Sequence, residues 1–110
     1  MALPNTKIRS VLPNPLPLGS PDAIILAWGG AAADTSRHRL IVWGGGHNDY
    51  YGNELYALDL STKSMLRLTD PSPIGSASRC LGTLPDGNPA SRHTYGNLVY
   101  MPHVDRMFAF

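Results

Sequence analysis

The sequence has few of the features that mark secreted, membrane-bound or nucleic-acid-binding proteins. A single cysteine, Cys80, excludes an internal disulfide. No apolar run approaches the roughly 20 residues of a membrane-spanning helix, and the first ten residues lack the apolar core of a signal peptide. Charged residues make up 15% of the chain and the net charge is +1. We therefore expect neither nucleic acid nor membrane as a partner, and the compartment stays undetermined.

Glycine and proline, by contrast, are plentiful. The 11 glycines and 10 prolines fall between short apolar runs without any period. This distribution is typical of many short strands separated by turns, and it argues against collagen and against disorder. With 110 residues, 43% of them apolar, the chain is long enough to bury a core.

The stretch 39–68 organises the chain. Residues 40–43 are four consecutive apolar residues that end at three glycines, which predicts a strand buried on both faces. Residues 55–60 alternate with the period of two that a strand requires, and residues 65–68 supply a third apolar segment. Because short polar turns join these three segments, the sequence predicts an antiparallel meander.

This stretch resembles one repeat of the kelch family, the β-propeller blade found also in galactose-oxidase-like proteins. The likeness is carried by the apolar residues 40–43 before Gly44 and Gly45, by Tyr56 in the next strand, and by the acidic turn at Asp59. A kelch repeat usually carries tryptophan about where Met65 stands. The resemblance covers residues 23–110 and implies an all-β fold of four-stranded antiparallel meander blades.

The remaining segments are assigned around that blade. Residues 1–21, with five prolines, are expected to form a linker or edge strand, with a short strand at 6–12. The apolar run 23–28 is expected to be the innermost strand of the blade, and residues 34–38 the turn into the next strand. The blade would occupy residues 22–70, an inter-blade loop residues 71–91, and the inner half of the next blade residues 92–110.

An internal repeat supports this division. When Arg39 is aligned with Arg106, 67 positions later, Trp28 falls on Tyr95 and Trp43 on Phe110. Kelch repeats run about 50 residues, so the excess falls in the loop rich in proline, serine and glycine at 69–90. The chain then holds about one and a half blades. Because propellers close with about four to eight blades, we expect the chain to be an N-terminal fragment whose remaining blades come from C-terminal sequence beyond Phe110.

The candidate site follows from the up-and-down geometry of a meander. The loop after the second strand and the loop between blades should emerge at the same end of the sheet, whereas His38 and His103 should lie at the other end. The residues expected to bind a ligand at the shared end are His47, Asn48, Asp49, Tyr50, Tyr51, Arg92 and His93.

Each of these residues also has a structural interpretation. Asn48 and Asp49 are ordinary turn residues whose side chains satisfy local backbone groups. In kelch repeats a basic pair such as Arg92 and His93 commonly ties loops and blades together by hydrogen bonds. The tyrosines are typical packing aromatics, and Glu54 has no acidic partner close in sequence for a glycosidase pair.

A metal or radical site is the sharper hypothesis. The imidazoles of His47 and His93, together with a tyrosinate, are reasonable copper ligands. The spacing of the two histidines in the sequence, however, does not match a metal-binding motif. The copper enzymes among galactose-oxidase-like proteins also need a cysteine bonded to a tyrosine, and the surroundings of Cys80 do not match that signature. There is no nucleophile elbow, phosphate-binding loop or dinucleotide fingerprint. We therefore assign no catalytic residue, metal or cofactor.

The sequence best fits a recognition module that presents loops to a protein or carbohydrate partner, with Asn53 beside the tyrosines as a further polar contact. A galactose-oxidase-like or other sugar-processing enzyme, with His47 and His93 as ligands or acid-base groups, is the alternative. A third hypothesis is a structural component of a larger assembly. Propellers serve all three roles, so the fold does not choose between them.

Overall fold

The computed structural model describes residues 6–46, 49–73 and 81–110. These residues form a mostly β structure with two short helical turns. The elements are a 3-10 turn Ile8–Val11, a helical turn α1 Ala23–Leu26, and the strands β1 Gly30–Asp34, β2 Arg39–Trp43, β3 Tyr56–Asp59, β4 Ser64–Arg67, β5 Leu98–Met101 and β6 Arg106–Ala109. No helix in the described part of the chain is long and apolar enough to cross a membrane.

The first sheet is the antiparallel meander that the stretch 39–68 predicts. Its strand order is β1-β2-β3-β4, and the second sheet is the hairpin β5-β6. Ile41 lies opposite Ala32 on one side and opposite Ala57 on the other, so the central strand β2 pairs along both edges. The prediction of an all-β fold with a four-stranded antiparallel meander is confirmed.

The backbone repeats at the interval found in the sequence. Strands β5 and β6 follow β1 and β2 by 67 residues, and both pairs form antiparallel hairpins. Trp28 and Tyr95, which precede the two hairpins, both have φ 47°. At the ends of the hairpin turns, His38 has φ 49° and Asp105 has φ 51°. Because few non-glycine residues adopt this left-handed conformation, the match at both positions shows that the two hairpins share one backbone design.

The apolar run 23–28 is not the innermost strand, so that prediction was wrong. Its first four residues form α1, and the first strand of the sheet is β1, Gly30–Asp34, which follows the run and consists mainly of alanine. The amide of Ala23 donates to Ser20 O and that of Ile24 to Pro21 O, so the chain is already turning before the run begins. Pro21 is compatible with such a start because it has no amide hydrogen to satisfy.

The short strand expected at 6–12 was also wrong, since residues Ile8–Val11 form a 3-10 turn. The turn is closed at Lys7, whose carbonyl accepts both the amide and the hydroxyl of Ser10. A serine side chain that bonds to a nearby backbone carbonyl competes with strand pairing and so favours a turn. The turn places Ile8 in the core.

The first sheet buries both of its faces. One face, which carries Val42, Tyr56 and Met65, packs on the N-terminal segment through Ile8 and Ile24. The other face, called here the Trp43 face, carries Ala32, Ile41 and Trp43 and packs on the second sheet. The second sheet contributes Leu98, Tyr100 and Met107 to that contact. The two sheets are therefore stacked face to face.

Ionic contacts join the two sheets at the end where their hairpin turns lie. The guanidinium of Arg37 makes two hydrogen bonds of 2.9 Å to Asp105 and one of 3.0 Å to the buried Asp34. Tyr100 donates to Asp105, and Arg39 donates to Asp34. Burial raises the pKa of Asp34, but hydrogen bonds from both arginines outweigh it and hold that pKa below its usual value. The hydrogen bonds from Arg37 and Tyr100 lower the pKa of Asp105 to about 2.

Acid should therefore weaken the ionic contacts between the two sheets. Because both carboxyl groups have a lower pKa in the folded chain than in the unfolded one, their contribution to stability is complete above about pH 4. It is lost as the pH falls toward about 2, through the folded pKa of Asp105. We expect the urea midpoint to fall less steeply below pH 4 in Asp105→Asn than in the wild type.

Urea unfolding followed by circular dichroism at several pH values measures this effect. Asp70→Asn is the matched control, because it removes one exposed carboxylate that pairs with Arg67 away from the junction. An Asp105→Asn chain whose midpoint falls as steeply as the wild type's would contradict the prediction.

Candidate functional site

Four segments meet at the end of the first sheet where β1 begins and β2 ends. They are residues 27–30, 44–46, 49–54 and 91–95, and they are called the rim here. Thr94 joins the segment 91–95 to the start of β1 and the end of β2, because its hydroxyl accepts from the amide of Gly30 at 2.6 Å and donates to Trp43 O at 3.3 Å. The loop after β2 and the segment before β5 thus share one end of the molecule, as the meander geometry predicts.

Glycines at 44–46 allow the segments to approach closely. All three have positive φ, from 76° to 145°, a conformation that side chains disfavour. A Cβ on Gly44 would lie 2.8 Å from the carbonyl oxygen of Arg92, and one on Gly46 would lie 2.8 Å from the His93 ring. Gly44 and Gly46 are therefore required by the close approach of residues 92 and 93.

Two of the predicted site residues come together at the rim. His93 Nε2 lies 3.9 Å from Asp49 Oδ2, although 44 positions separate the two residues in the sequence. His93 Nδ1 lies 2.9 Å from the carbonyl oxygen of Ala27, which can only accept, so Nδ1 carries a hydrogen. The side chain of Asp49 is half exposed, whereas that of His93 is largely buried.

Tyr50 has no exposed surface, so its side chain is not accessible to a ligand at the rim. Its hydroxyl donates to Glu54 Oε1 at 2.6 Å, and the hydroxyl of Tyr56 donates to the same oxygen at 2.7 Å. Glu54 is itself 2% exposed, and its Oε2 has no hydrogen-bond partner among the described residues. A Cβ on Gly52 would collide with that oxygen. The three side chains form a buried polar cluster beneath the rim.

Burial raises the pKa of Tyr50 and of Tyr56 far above the usual value, and the hydrogen bonds to Glu54 raise it further. Both phenols are therefore protonated donors at any physiological pH. Their role in this structure is to hold Glu54 and, through it, the loop that leads into β3.

Arg92 and Asn53 bind neighbouring loops. The guanidinium of Arg92 donates to Gly82 O at 2.6 Å and lies 6.0 Å from the ring centre of Trp43. The Asn53 amide donates to Ser72 Oγ and Pro89 O, and Asn53 Oδ1 accepts from the amide of Ser72. The contacts of Arg92 match its structural interpretation, and Asn53 has the same role of joining loops.

The remaining residues named in the sequence analysis lie in three places. Tyr51 is half-buried, and its amide donates to Leu18 O at 2.9 Å, so its backbone holds the N-terminal segment. His47, Asn48 and Cys80 lie outside the described residues. His38 and His103, which the geometry predicts at the opposite end, lie in the hairpin turns away from the rim.

The rim also contains two aromatic residues that sequence reasoning did not assign to the site. Trp28 is 64% exposed and Tyr95 is 57% exposed. Their ring centres lie 5.0 Å and 5.9 Å from that of His93. The internal repeat aligned these two positions with each other, and that alignment was the signal that could have identified them as a pair.

Within the described residues, no group of three or more histidine, cysteine, aspartate or glutamate side chains could hold a metal ion. The pair of Asp49 and His93 supplies two donors at the rim. Comparison of the chain with protein-family models, with curated proteins and with solved structures gives no match.

Proposed function

We propose that the chain is part of a kelch-type β-propeller and that it acts as a recognition module, with the rim as its contact surface for a protein or carbohydrate partner. The observation that carries the proposal is the exposure of Trp28 and Tyr95 at the rim. Large aromatic rings gain much from leaving water, and both proteins and sugars bind to them.

The stacking of the two sheets supports the propeller. The 67-residue repeat relates Ala32, Ile41 and Trp43, on the buried Trp43 face, to three residues of the second sheet. Those residues are Val99, Phe108 and Phe110, and they are exposed. Their exposed fractions are 44%, 51% and 78%, against 5%, 4% and 3% for the first set. A further sheet stacked on the second, as the second is stacked on the first, would cover them.

The free edge of β6 agrees with this arrangement. In the first sheet β3 pairs with the outer edge of β2, whereas within the described residues β6 pairs with β5 alone. A cleft of about 750 Å³ borders β6, and its lining includes Trp43, Leu55 and Phe108. A third strand beside β6 would fill part of this space. We therefore propose that polypeptide outside these 110 residues supplies the missing strands and the further sheets.

The burial of the polar cluster beneath the rim argues against Glu54 as a catalytic acid or base. An acid or base must reach the reacting atoms, and Glu54 is enclosed by Tyr50 and Tyr56. Recognition requires an accessible surface of fixed shape. The hydrogen bond from the amide of Tyr95 to Trp28 O, at 2.7 Å, holds the two aromatic residues together at the rim.

Binding of the labelled chain to glycan and peptide arrays tests the proposal. We expect binding to at least one class of ligand, and we expect it to be lost in the double variant Trp28→Ala, Tyr95→Ala. Leu60→Ala is the matched control, because Leu60 is 56% exposed but follows β3 at the end opposite the rim. The control should bind as the wild type does.

Two results would count against the proposal. Absence of binding on both arrays would remove the recognition function, and binding that survives the double variant would move it away from the rim. The circular dichroism spectrum of each variant shows whether the fold is retained.

A further inference from the structure

The two exposed aromatic rings of the rim are held in fixed positions. Trp28 and Tyr95 both have φ 47°, which is rare for large side chains and is found where the surrounding structure enforces it. The His93 ring lies between them, in an edge contact with Trp28 at an interplanar angle of 79°. The contact of His93 with Ala27 O fixes that ring in turn. The rings thus form a surface that a ligand can meet without much reordering.

An acidic group lies beside this surface. Asp49 Oδ2 lies 3.9 Å from His93 Nε2, and the Asp49 side chain is 50% exposed. The faces of tryptophan and tyrosine rings carry negative potential and attract cations. A carboxylate and two aromatic rings around one imidazole therefore complement a positive charge.

We propose that Trp28, Tyr95 and Asp49 bind a cationic side chain of a protein partner, with an arginine guanidinium as the best fit. Arginine stacks on aromatic faces through its planar group and pairs with a carboxylate through its N–H donors. This inference rests on the proposed recognition function and names the chemistry of the partner. A sugar would use the same rings, but its affinity would depend far less on the charge of Asp49.

Titration with Nα-acetyl-arginine amide, at constant ionic strength, tests the inference. The signals to follow are the indole and ring resonances of Trp28 and Tyr95 in NMR spectra. The neutral comparison is Nα-acetyl-citrulline amide, which has nearly the same shape without the charge. We expect the arginine probe to bind about 5-fold or more tightly than the citrulline probe, in line with cation–π and exposed ion-pair contributions.

Variants separate the two contributions. Asp49→Asn should weaken arginine binding about 3-fold to 10-fold, and Trp28→Leu should weaken it by a similar factor. Asp70→Asn, which removes an exposed carboxylate paired with Arg67, should leave binding unchanged. The half-exposed Asp49 side chain can be replaced without disturbing the core, and circular dichroism checks this.

The outcomes also distinguish this inference from the proposed function. Equal binding of arginine and citrulline probes, or wild-type binding by Asp49→Asn, would overturn the cation site. Binding of methyl β-glucoside at Trp28 and Tyr95 without binding of the arginine probe would overturn it too, while recognition by the rim would stand. Loss of all array binding would instead remove the recognition function itself.

Discussion

Glu54→Leu is expected to destabilise the chain by about 2–5 kcal/mol, because it leaves two buried hydroxyls without an acceptor. The hydroxyls of Tyr50 and Tyr56 both donate to Glu54 Oε1, and both tyrosines have no exposed surface. Each unpaired buried donor costs about 1–3 kcal/mol. The free energy of unfolding, measured by urea denaturation, gives the effect directly.

Two further variants identify the cause of that loss. Glu54→Gln keeps an oxygen acceptor at the same place and should cost much less than Glu54→Leu. The triple variant Glu54→Leu, Tyr50→Phe, Tyr56→Phe removes donors and acceptor together and should regain part of the stability, since an apolar replacement of a whole polar cluster is often tolerated. A triple variant less stable than Glu54→Leu would show that the hydroxyls have other partners.

Trp43→Ala is expected to cost about 3–5 kcal/mol, the usual range for truncating a buried tryptophan. Trp43 is 3% exposed and belongs to the cluster that joins the first sheet to Leu98 of the second. Its indole N–H donates to Asn53 O at 2.8 Å, and Asn53 O lies in the loop after β2. The substitution should therefore loosen both the contact between the sheets and the rim.

Trp43→Phe is the control for the hydrogen bond from the indole N–H to Asn53 O. It keeps an aromatic ring in the cluster and removes the N–H donor, so it should cost about 1–2 kcal/mol. Protection of the Gly30 and Tyr95 amides against hydrogen exchange reports on the rim, because they donate to Thr94 Oγ1 and to Trp28 O. A Trp43→Ala chain with wild-type stability would mean that the sheets are not joined through this side chain.

The meander could be predicted because its signals are local. The apolar residues 40–43 end at glycines, and residues 55–60 alternate, so β2 and β3 follow from the sequence alone. The 67-residue repeat extended the prediction to β6, the counterpart of β2. Glycines 44–46 were visible as the end of a strand, but the reason for them, a close approach by residues 92 and 93, required the fold.

The errors arose at one local turn and at one distant contact. The run 23–28 has the composition of a buried strand, yet its first amides donate to the carbonyls of residues 20–22 and start a helical turn there. Tyr50 follows a glycine-rich loop and looked accessible, but the amide of Tyr51 bonds to Leu18 O and the hydroxyl of Tyr50 finds Glu54 in the core. The contact between Tyr51 and Leu18 lies beyond the reach of a local pattern.

A nuclear Overhauser experiment on the isotope-labelled chain tests most directly whether the second sheet repeats the first and stacks on it to complete the rim. The structure predicts cross-peaks between the rings of Trp28 and His93, and between the Trp43 indole and the methyl groups of Leu98. Well-resolved strand pairings within each sheet without those cross-peaks would contradict it.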